Sequence, residues 1–292
     1  MNILIAGGGG FLGKFLIKRF LMDKNQVTVL DLGICKESVE QLGCEFIDCD
    51  ISSPLPVELG KNYDTAIFLS QSPFYRQLPE KASLVIAVNV AGLTTFTELA
   101  RLHGVKHLLY ASSGNVYAPS LAKLSENSDI KPSNIYGLSK KIGEDILEYY
   151  KPYFKITSLR YFCIYGPNQK NMLIPNLIER VRNGQQITLD RTENEDAAGT
   201  GGFKITPTFV KDVADVMSHL IQNTIEGCFN VSGTEELSIR QLAETIGEKI
   251  GKEPIFQVTD NLRTGDLLAD NSKLISVYKK KFTSFADGIK EI

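Results

Sequence analysis

In the run YGLSK, Tyr136 and Lys140 stand four residues apart, so a helix would present a phenol and an amine on one face, a turn apart. Together they form an acid/base device. A phenol with an ordinary pKa of about 10 is a poor base at neutral pH, and an adjacent ammonium favours its ionised form. Lowering that pKa by about 3 units requires roughly 4 kcal/mol, which a charge at close range in a partly dry site supplies. A third candidate is Ser113, at the end of the apolar run VKHLLYASS, where a hydroxyl could hold the oxygen whose proton moves. A Y-x-x-x-K pair also occurs on ordinary helix surfaces, and strand-end serines often serve only turns, so the surrounding elements must decide.

Those elements read as α/β. Short β-branched and aliphatic runs (NILIAG, QVTVLD, CEFIDCD, DTAIFLS, VKHLLYASS, KITSLRYF) alternate with amphipathic helical patterns, the signature of βαβ units on a parallel sheet. Further strands are expected near KITPTFV and CFNVSG, and helices from Phe11, Pro79, Ser133, Ile174, Val210 and Ser238. The expected fold is a Rossmann-type doubly wound parallel sheet with a smaller α/β C-terminal lobe. Residues 1–166 would form the Rossmann domain, completed by roughly 204–232, and 167–203 with 233–292 the lobe. The acidic, glycine-rich stretch DRTENEDAAGTGG, Asp190 to Gly202, reads either as a mobile loop over a site or as a merely exposed one.

The chain opens on a strand, a glycine cluster and a helix. Gly7, Gly10 and Gly13 match GxxGxxG, and Gly8, Gly10 and Gly13 match GxGxxG, so spacing leaves two registers open. Either lets a pyrophosphate approach the backbone at a helix N-terminus, whose free N–H groups and partial positive charge hold the anion. Asp31 ends the second strand about 20 residues further on, where a carboxylate accepts from an adenosine ribose hydroxyl. Asp31 is followed by Leu32 and Gly33 with no adjacent arginine, which disfavours a 2′-phosphate and favours NAD over NADP.

Composition excludes other classes. The 292 residues are 43% hydrophobic and 23% charged, near the globular average. A formal charge of -2 leaves no basic field for nucleic acid or an anionic membrane. The five cysteines form no CxxC pair and the three histidines are scattered, so the reading is a reducing cytoplasm and no metal site. No export signal and no membrane span are read from the sequence.

With these pieces in order, the chain resembles an extended short-chain dehydrogenase/reductase of the NAD-dependent epimerase/dehydratase family along nearly its whole length. The resemblance rests on the glycine motif, Asp31, DCDIS, FLSQS, NVAGLTTFTELA, SSGNVY, YGLSK, LRYFCIYGPN, TPTFVKDVA and RTGDLLADNSK. It implies Tyr136 as the acid/base, Lys140 as ribose ligand and tuner of that tyrosine, and Ser113 as partner of the substrate hydroxyl. It further implies NAD contacts from Gly7, Gly10, Phe11, Leu12, Gly13, Asp31, Asp50, Ile51, Leu69, Ser70 and Asn89. Substrate contacts would come from Ser113, Gly114, Asn115, Cys163 and Arg263, the last on a nucleotide diphosphate with charge added by Arg160 and Lys170. The C-terminal lobe would bind substrate, and the helices holding NVAGLTTFTELA and YGLSK would build a homodimer.

Departures from the family pattern narrow the reaction. Dehydratases of the family carry an acidic pair where this chain has Gly114 and Asn115, leaving a 4-epimerase or a keto-sugar reductase. The family's common asparagine is Cys163 here, read as a small apolar residue rather than as an acid. Tyr75 and Arg76 either line the sugar pocket or belong to a surface loop. The expected activity is NAD-dependent epimerisation of a nucleotide-linked sugar, with an NAD(P)H-dependent reductase of a nucleotide-linked keto-sugar and a non-catalytic dinucleotide-binding protein as alternatives.

Overall fold

The short apolar runs of the sequence become strands, and the amphipathic stretches between them become helices. The computed structural model describes residues 1–54, 59–195 and 199–292. From the N-terminus come β1 (Asn2–Ala6), α1 (Phe11–Met22), β2 (Gln26–Asp31), α2 (Lys36–Glu40), β3 (Glu45–Asp48) and β4 (Thr65–Phe68). Then follow α3 (Ala82–Ile86), α4 (Leu93–Leu102), β5 (His107–Ser113), α5 (Ile135–Glu148), β6 (Lys155–Tyr161) and β7 (Ile164–Tyr165). The remainder is α6 (Leu173–Arg182), β8 (Gln186–Arg191), β9 (Lys204–Ile205), β10 (Thr208–Phe209), α7 (Val210–Gln222), β11 (Gly227–Val231), β12 (Leu237–Ser238), α8 (Ile239–Ile250), β13 (Ile255–Leu262), α9 (Ser272–Val277) and α10 (Phe285–Gly288).

Seven strands form one sheet in the order β11-β6-β5-β4-β1-β2-β3, and the successive pairs from β3 through β2, β1 and β4 to β5 are parallel. The winding reverses between β1 and β4, the switch point beyond whose strand ends such sheets bind ligands. Every residue of β5 is buried, as expected for a central strand covered on both faces. Leu4, Phe68, Phe96, Leu108, Tyr110 and Leu147 lie in the core on one face.

The chain divides into two compact units. The first comprises Met1–Ala118, Ile130–Arg160 and Ala214–Phe229, and the second Pro119–Asp129, Tyr161–Val213 and Asn230–Ile292. In the second, β8 pairs in parallel with β13, and α6 and α8 contribute Leu177, Val181, Leu242 and Ile246 to a core around Tyr165 and Phe209. The sequence reading did not include β8 and β13. The expected strand in KITPTFV is two strands: β9 pairs antiparallel with β12 and β10 pairs in parallel with β7. Pro207 lies between them, and its lack of an N–H favours a break where the chain changes partners.

α8 begins where expected because Ser238 and Gln241 form a capping box, each side chain accepting from the other's backbone N–H. α3 and α4 are joined by a wide π-helical turn over Ala87–Gly92. The continuous helix Ala82–Leu102 is long and apolar enough to cross a membrane by length and composition, which the sequence reading did not find. Its Val85, Leu93, Phe96, Leu99 and Ala100 are instead buried inside the protein.

Within the first unit, Glu144 of α5 and Arg160 of β6 form a buried ion pair, their side chains 9% and 8% exposed. Arg160 therefore does not take the phosphate role considered for it. Both Glu144 oxygens accept from Arg160, at 2.9 and 2.7 Å, and Ser112 donates to one of them at 2.6 Å. Removing one partner of such a pair leaves an uncompensated buried charge. Glu144→Ala is expected to lower stability by about 3–5 kcal/mol in urea denaturation, and a loss below about 1 kcal/mol would show that the pair is relieved by water.

Candidate active site

The glycine turn follows directly from β1. Gly7 has φ of +80°, and a Cβ there would lie 2.6 Å from the Ser70 backbone nitrogen, so the tight turn beside the end of β4 demands glycine. Gly10 is the N-cap of α1, and the nearest atom to a Cβ built there is the Gly7 carbonyl oxygen at 3.5 Å. This conformation corresponds to the Gly7, Gly10, Gly13 register, with Phe11 and Leu12 in the first turn of α1. The open cradle at a helix N-terminus fits a pyrophosphate. Both Asp31 oxygens accept backbone N–H groups at 2.8 Å, one from Gly9 and one from Leu32. The carboxylate is thereby fixed beside the glycine turn, with lone pairs remaining for ribose hydroxyls.

Cys35, absent from the sequence reading, also borders this turn. A Cβ on Gly9 would strike its side chain, and burial followed by the Asp31 charge raises its thiol pKa. Asp50 is exposed and accepts from the Ser52 N–H and hydroxyl at 2.9 and 2.7 Å. Ile51 is buried, with its carbonyl against Gly92. Leu69 continues the β4 edge through its N–H to Ala6, and Ser70 is buried.

The three proton-transfer candidates converge at the end of β5. Asn134 caps α5, its side chain accepting from the Gly137 N–H at 2.9 Å, which places Tyr136 in the first turn, where the helix dipole favours negative charge. A Cβ on Gly137 would overlap the Asn115 carbonyl, so glycine lets α5 approach the β5 end closely. The Ser113 hydroxyl hydrogen-bonds the Tyr136 phenol. The Lys140 ammonium donates to the Ala111 carbonyl at 2.9 Å and stands 5.5 Å from the Tyr110 ring centroid and 5.9 Å from that of Tyr136.

Burial dominates the electrostatics. It pushes the Tyr136 phenol up; the hydrogen bond with Ser113 pulls it back, and Tyr75 pushes it up again. Burial also depresses Lys140 to about 7. Protein groups alone therefore hold Tyr136 as a phenol, and the phenolate expected from the sequence rests on a positive nicotinamide acting together with Lys140.

Asn89 is fully buried and braces the site from within. Its carbonyl accepts from the Ser72 N–H at 3.1 Å, and its amide donates to Ser139 at 2.9 Å and to Gln71 at 3.2 Å. Ser139 in turn donates to the Tyr136 carbonyl at 2.7 Å, so Asn89 ties the β4 loop to α5. Neither Ser139 nor the Ala111 carbonyl was found from sequence; the first is a common residue and the second is backbone. Tyr75 packs on Tyr136 at 5.2 Å between ring centroids, with the Arg76 guanidinium 5.4 Å from the Tyr75 ring. These contacts place Tyr75 against the acid/base candidate.

Cys163 and Arg263 belong to the second unit. Burial pushes the Cys163 thiol up to about 12, which keeps it protonated and agrees with its reading as a small apolar group. Arg263 departs from expectation. Its guanidinium pairs with both oxygens of Glu195 at 2.7 and 3.0 Å, with Asp266 at 3.1 Å, and with the Asp190 carbonyl at 2.8 Å. Two carboxylates thus neutralise the group assigned to a diphosphate, and Arg263 holds Glu195 down at about 2. The expected loop Asp190 to Gly202 is anchored by this contact and by Thr200, which donates to Glu195 at 3.0 Å; residues 196–198 of it lie outside the described residues.

Residues 3–232 match the NAD dependent epimerase/dehydratase family, and the chain belongs to it. It is an NAD-dependent enzyme of the extended short-chain dehydrogenase/reductase type. The uncharacterized UDP-glucose epimerase YtcB of Bacillus subtilis (strain 168) is 26% identical over 99% of this chain and 96% of its own length. UDP-glucuronic acid decarboxylase 3 of Arabidopsis thaliana is 27% identical over 89% of this chain and 78% of its own. The structure of Thermus thermophilus UDP-glucose 4-epimerase in complex with NAD superposes with a TM-score of 0.85 at 26% identity, covering 100% of this chain and 97% of that one.

The depressed Lys140 makes stability depend on pH. Its folded value of about 7 lies below the unfolded value of about 10.4, so between them the unfolded chain binds the extra proton and stability rises with pH. In nucleotide-free protein, Lys140→Met is expected to be more stable than wild type at about pH 7, with the gap narrowing by about pH 9. Urea midpoints for both proteins across this range measure it; a gap that does not change with pH would place the ammonium in water.

Proposed function

We propose that the protein is an NAD-dependent epimerase of a nucleotide-linked sugar, with a uridine diphosphate sugar as the substrate class. The observation that carries this reading is the convergence of Ser113, Tyr136 and Lys140 at the carboxyl end of β5. The names of the relatives in Bacillus and Thermus support the sugar nucleotide and the reaction type.

In this reading the backbone of Gly7 to Leu12 and the N-terminus of α1 hold the dinucleotide's pyrophosphate. Asp31 takes the adenosine ribose, Asp50 and Ile51 flank the adenine, and Leu69 and Ser70 border the cofactor at the β4 end. When bound, NAD supplies the hydride acceptor, and then the hydride donor, for one sugar carbon. Tyr136 accepts the proton of that carbon's hydroxyl and later returns it to the same oxygen, once the opposite face of the carbon has been presented to the cofactor. Ser113 donates to the same oxygen and holds it in place through the keto state. Lys140 binds ribose hydroxyls and favours the phenolate of Tyr136. Gly114 and Asn115 offer no acid for eliminating water, and the second unit selects the sugar nucleotide.

We place the protein in the cytoplasm as a homodimer; its five cysteines form no CxxC pair. The helices Ala82–Leu102 and α5 expose Leu102, Leu138 and Tyr149, apolar surface suited to a partner subunit. Light scattering at micromolar concentration is expected to give the mass of two chains, and the mass of one would remove the dimer.

Denaturing freshly purified protein and weighing the released nucleotides is expected to yield NAD or NADH, with or without a sugar nucleotide. Finding NADP(H), net consumption of reduced cofactor, or release of carbon dioxide from a sugar nucleotide would instead assign a reductase or a decarboxylase. Tyr136→Phe is expected to lower epimerisation by about 10²–10⁴-fold; turnover within a few-fold of wild type would remove the acid/base role.

A further inference from the structure

Ser113 is held from behind by one residue. Its Oγ accepts from the Asn115 backbone N–H at 3.2 Å and from the Asn115 side-chain amide at 3.0 Å. A hydroxyl has two acceptor lone pairs and one proton, so two donors from Asn115 leave Ser113 able to act outward only as a donor. Its outward partner is the Tyr136 phenol oxygen. The Asn115 carbonyl lies against Gly137, so the residue that orients Ser113 also abuts the turn carrying Tyr136.

We propose that Asn115 is a positioning residue that fixes the polarity of the Ser113 hydroxyl, so that Ser113 always donates to the phenolate or to the substrate oxygen. This rests on the epimerase reading above and revises the expectation that Asn115 touches substrate. An acceptor at 115 would reverse the hydrogen bond, drawing the Ser113 proton backwards and leaving the oxygen of Tyr136 without its donor. The charged and titratable groups facing Tyr136 are Lys140 on its own helix, Tyr75 from the segment before α3, and Tyr110 from β5. Asn115→Ala leaves these unchanged, while Asn115→Asp adds one carboxylate to them.

The test is the pH profile of hydride transfer in Asn115→Asp, a near-isosteric change from donor to acceptor. Its apparent Tyr136 pKa is expected to rise by about one unit, the worth of one hydrogen bond to a charged group. Turnover near neutral pH then falls about tenfold and recovers at alkaline pH. Asn115→Ala, which keeps the backbone donor, should shift less. In a Ser113→Ala background, Asn115→Asp should retain only the smaller part of the shift that its added charge causes. A loss equal at every pH, or the same shift without Ser113, would overturn the proposal, as would an unchanged profile, which would mean the amide faces Ser113 with its carbonyl.

Ultraviolet titration of tyrosinate, with Tyr136→Phe subtracted, gives the same pKa comparison in NAD-loaded protein without turnover. It separates the two readings: absence of activity on every sugar nucleotide would sink the epimerase, while an Asn115-dependent shift of Tyr136 would still uphold the orientation of Ser113.

Discussion

The site depends on an amine placed where water would be the better solvent. Lys140 is buried, and the structure compensates it with one carbonyl and two aromatic faces. Desolvation of this kind penalises the charged form, a cost consistent with the role proposed for Lys140 beside the Tyr136 phenol. The elements around it serve this placement. β5 brings the Ala111 carbonyl and Ser113, Asn134 sets where α5 begins, and the Glu144–Arg160 pair anchors the same helix one turn further on. Stability is given up at the point where chemistry needs it.

The division of labour between side chain and backbone explains what was legible in the sequence. The doubly wound parallel sheet, the glycine turn, Asp31 and the candidates Ser113, Tyr136 and Lys140 could be picked out because each depends on residue type in a recurring pattern or at a fixed spacing. The register of the glycines could not, since GxxGxxG and GxGxxG overlap; only the positive φ of Gly7 separates them. Ala111 left no trace because a carbonyl carries no residue type. Asn89 was noticed, but its bracing role was not legible: its three partners lie 17, 18 and 50 residues away in sequence.

The second unit was harder to read, for two physical reasons. Its strands pair only in twos, and β13, though eight residues long, has no fully buried residue, so hydrophobic patterning marks it weakly and the sequence reading did not include β8 and β13. Its charged groups also satisfy one another. An arginine in RTGD looks available to a phosphate, yet Glu195 reaches it from 68 positions earlier, and no local pattern announces that partner.

The π-helical turn over Ala87–Gly92 acts as a phase offset. One residue advances an α-helix by about 100°, so a turn holding an extra residue rotates everything after it relative to everything before. Val85 on one side of that turn and Phe96, Leu99 and Ala100 on the other are all buried, while Asn89 within it reaches Ser72 and Ser139. A single-residue deletion there would restore an unbroken α-helix and swing one half of it out of register with the core. The helix thus carries its alignment in its residue count, and substitutions along it are a gentler change than any shift in length.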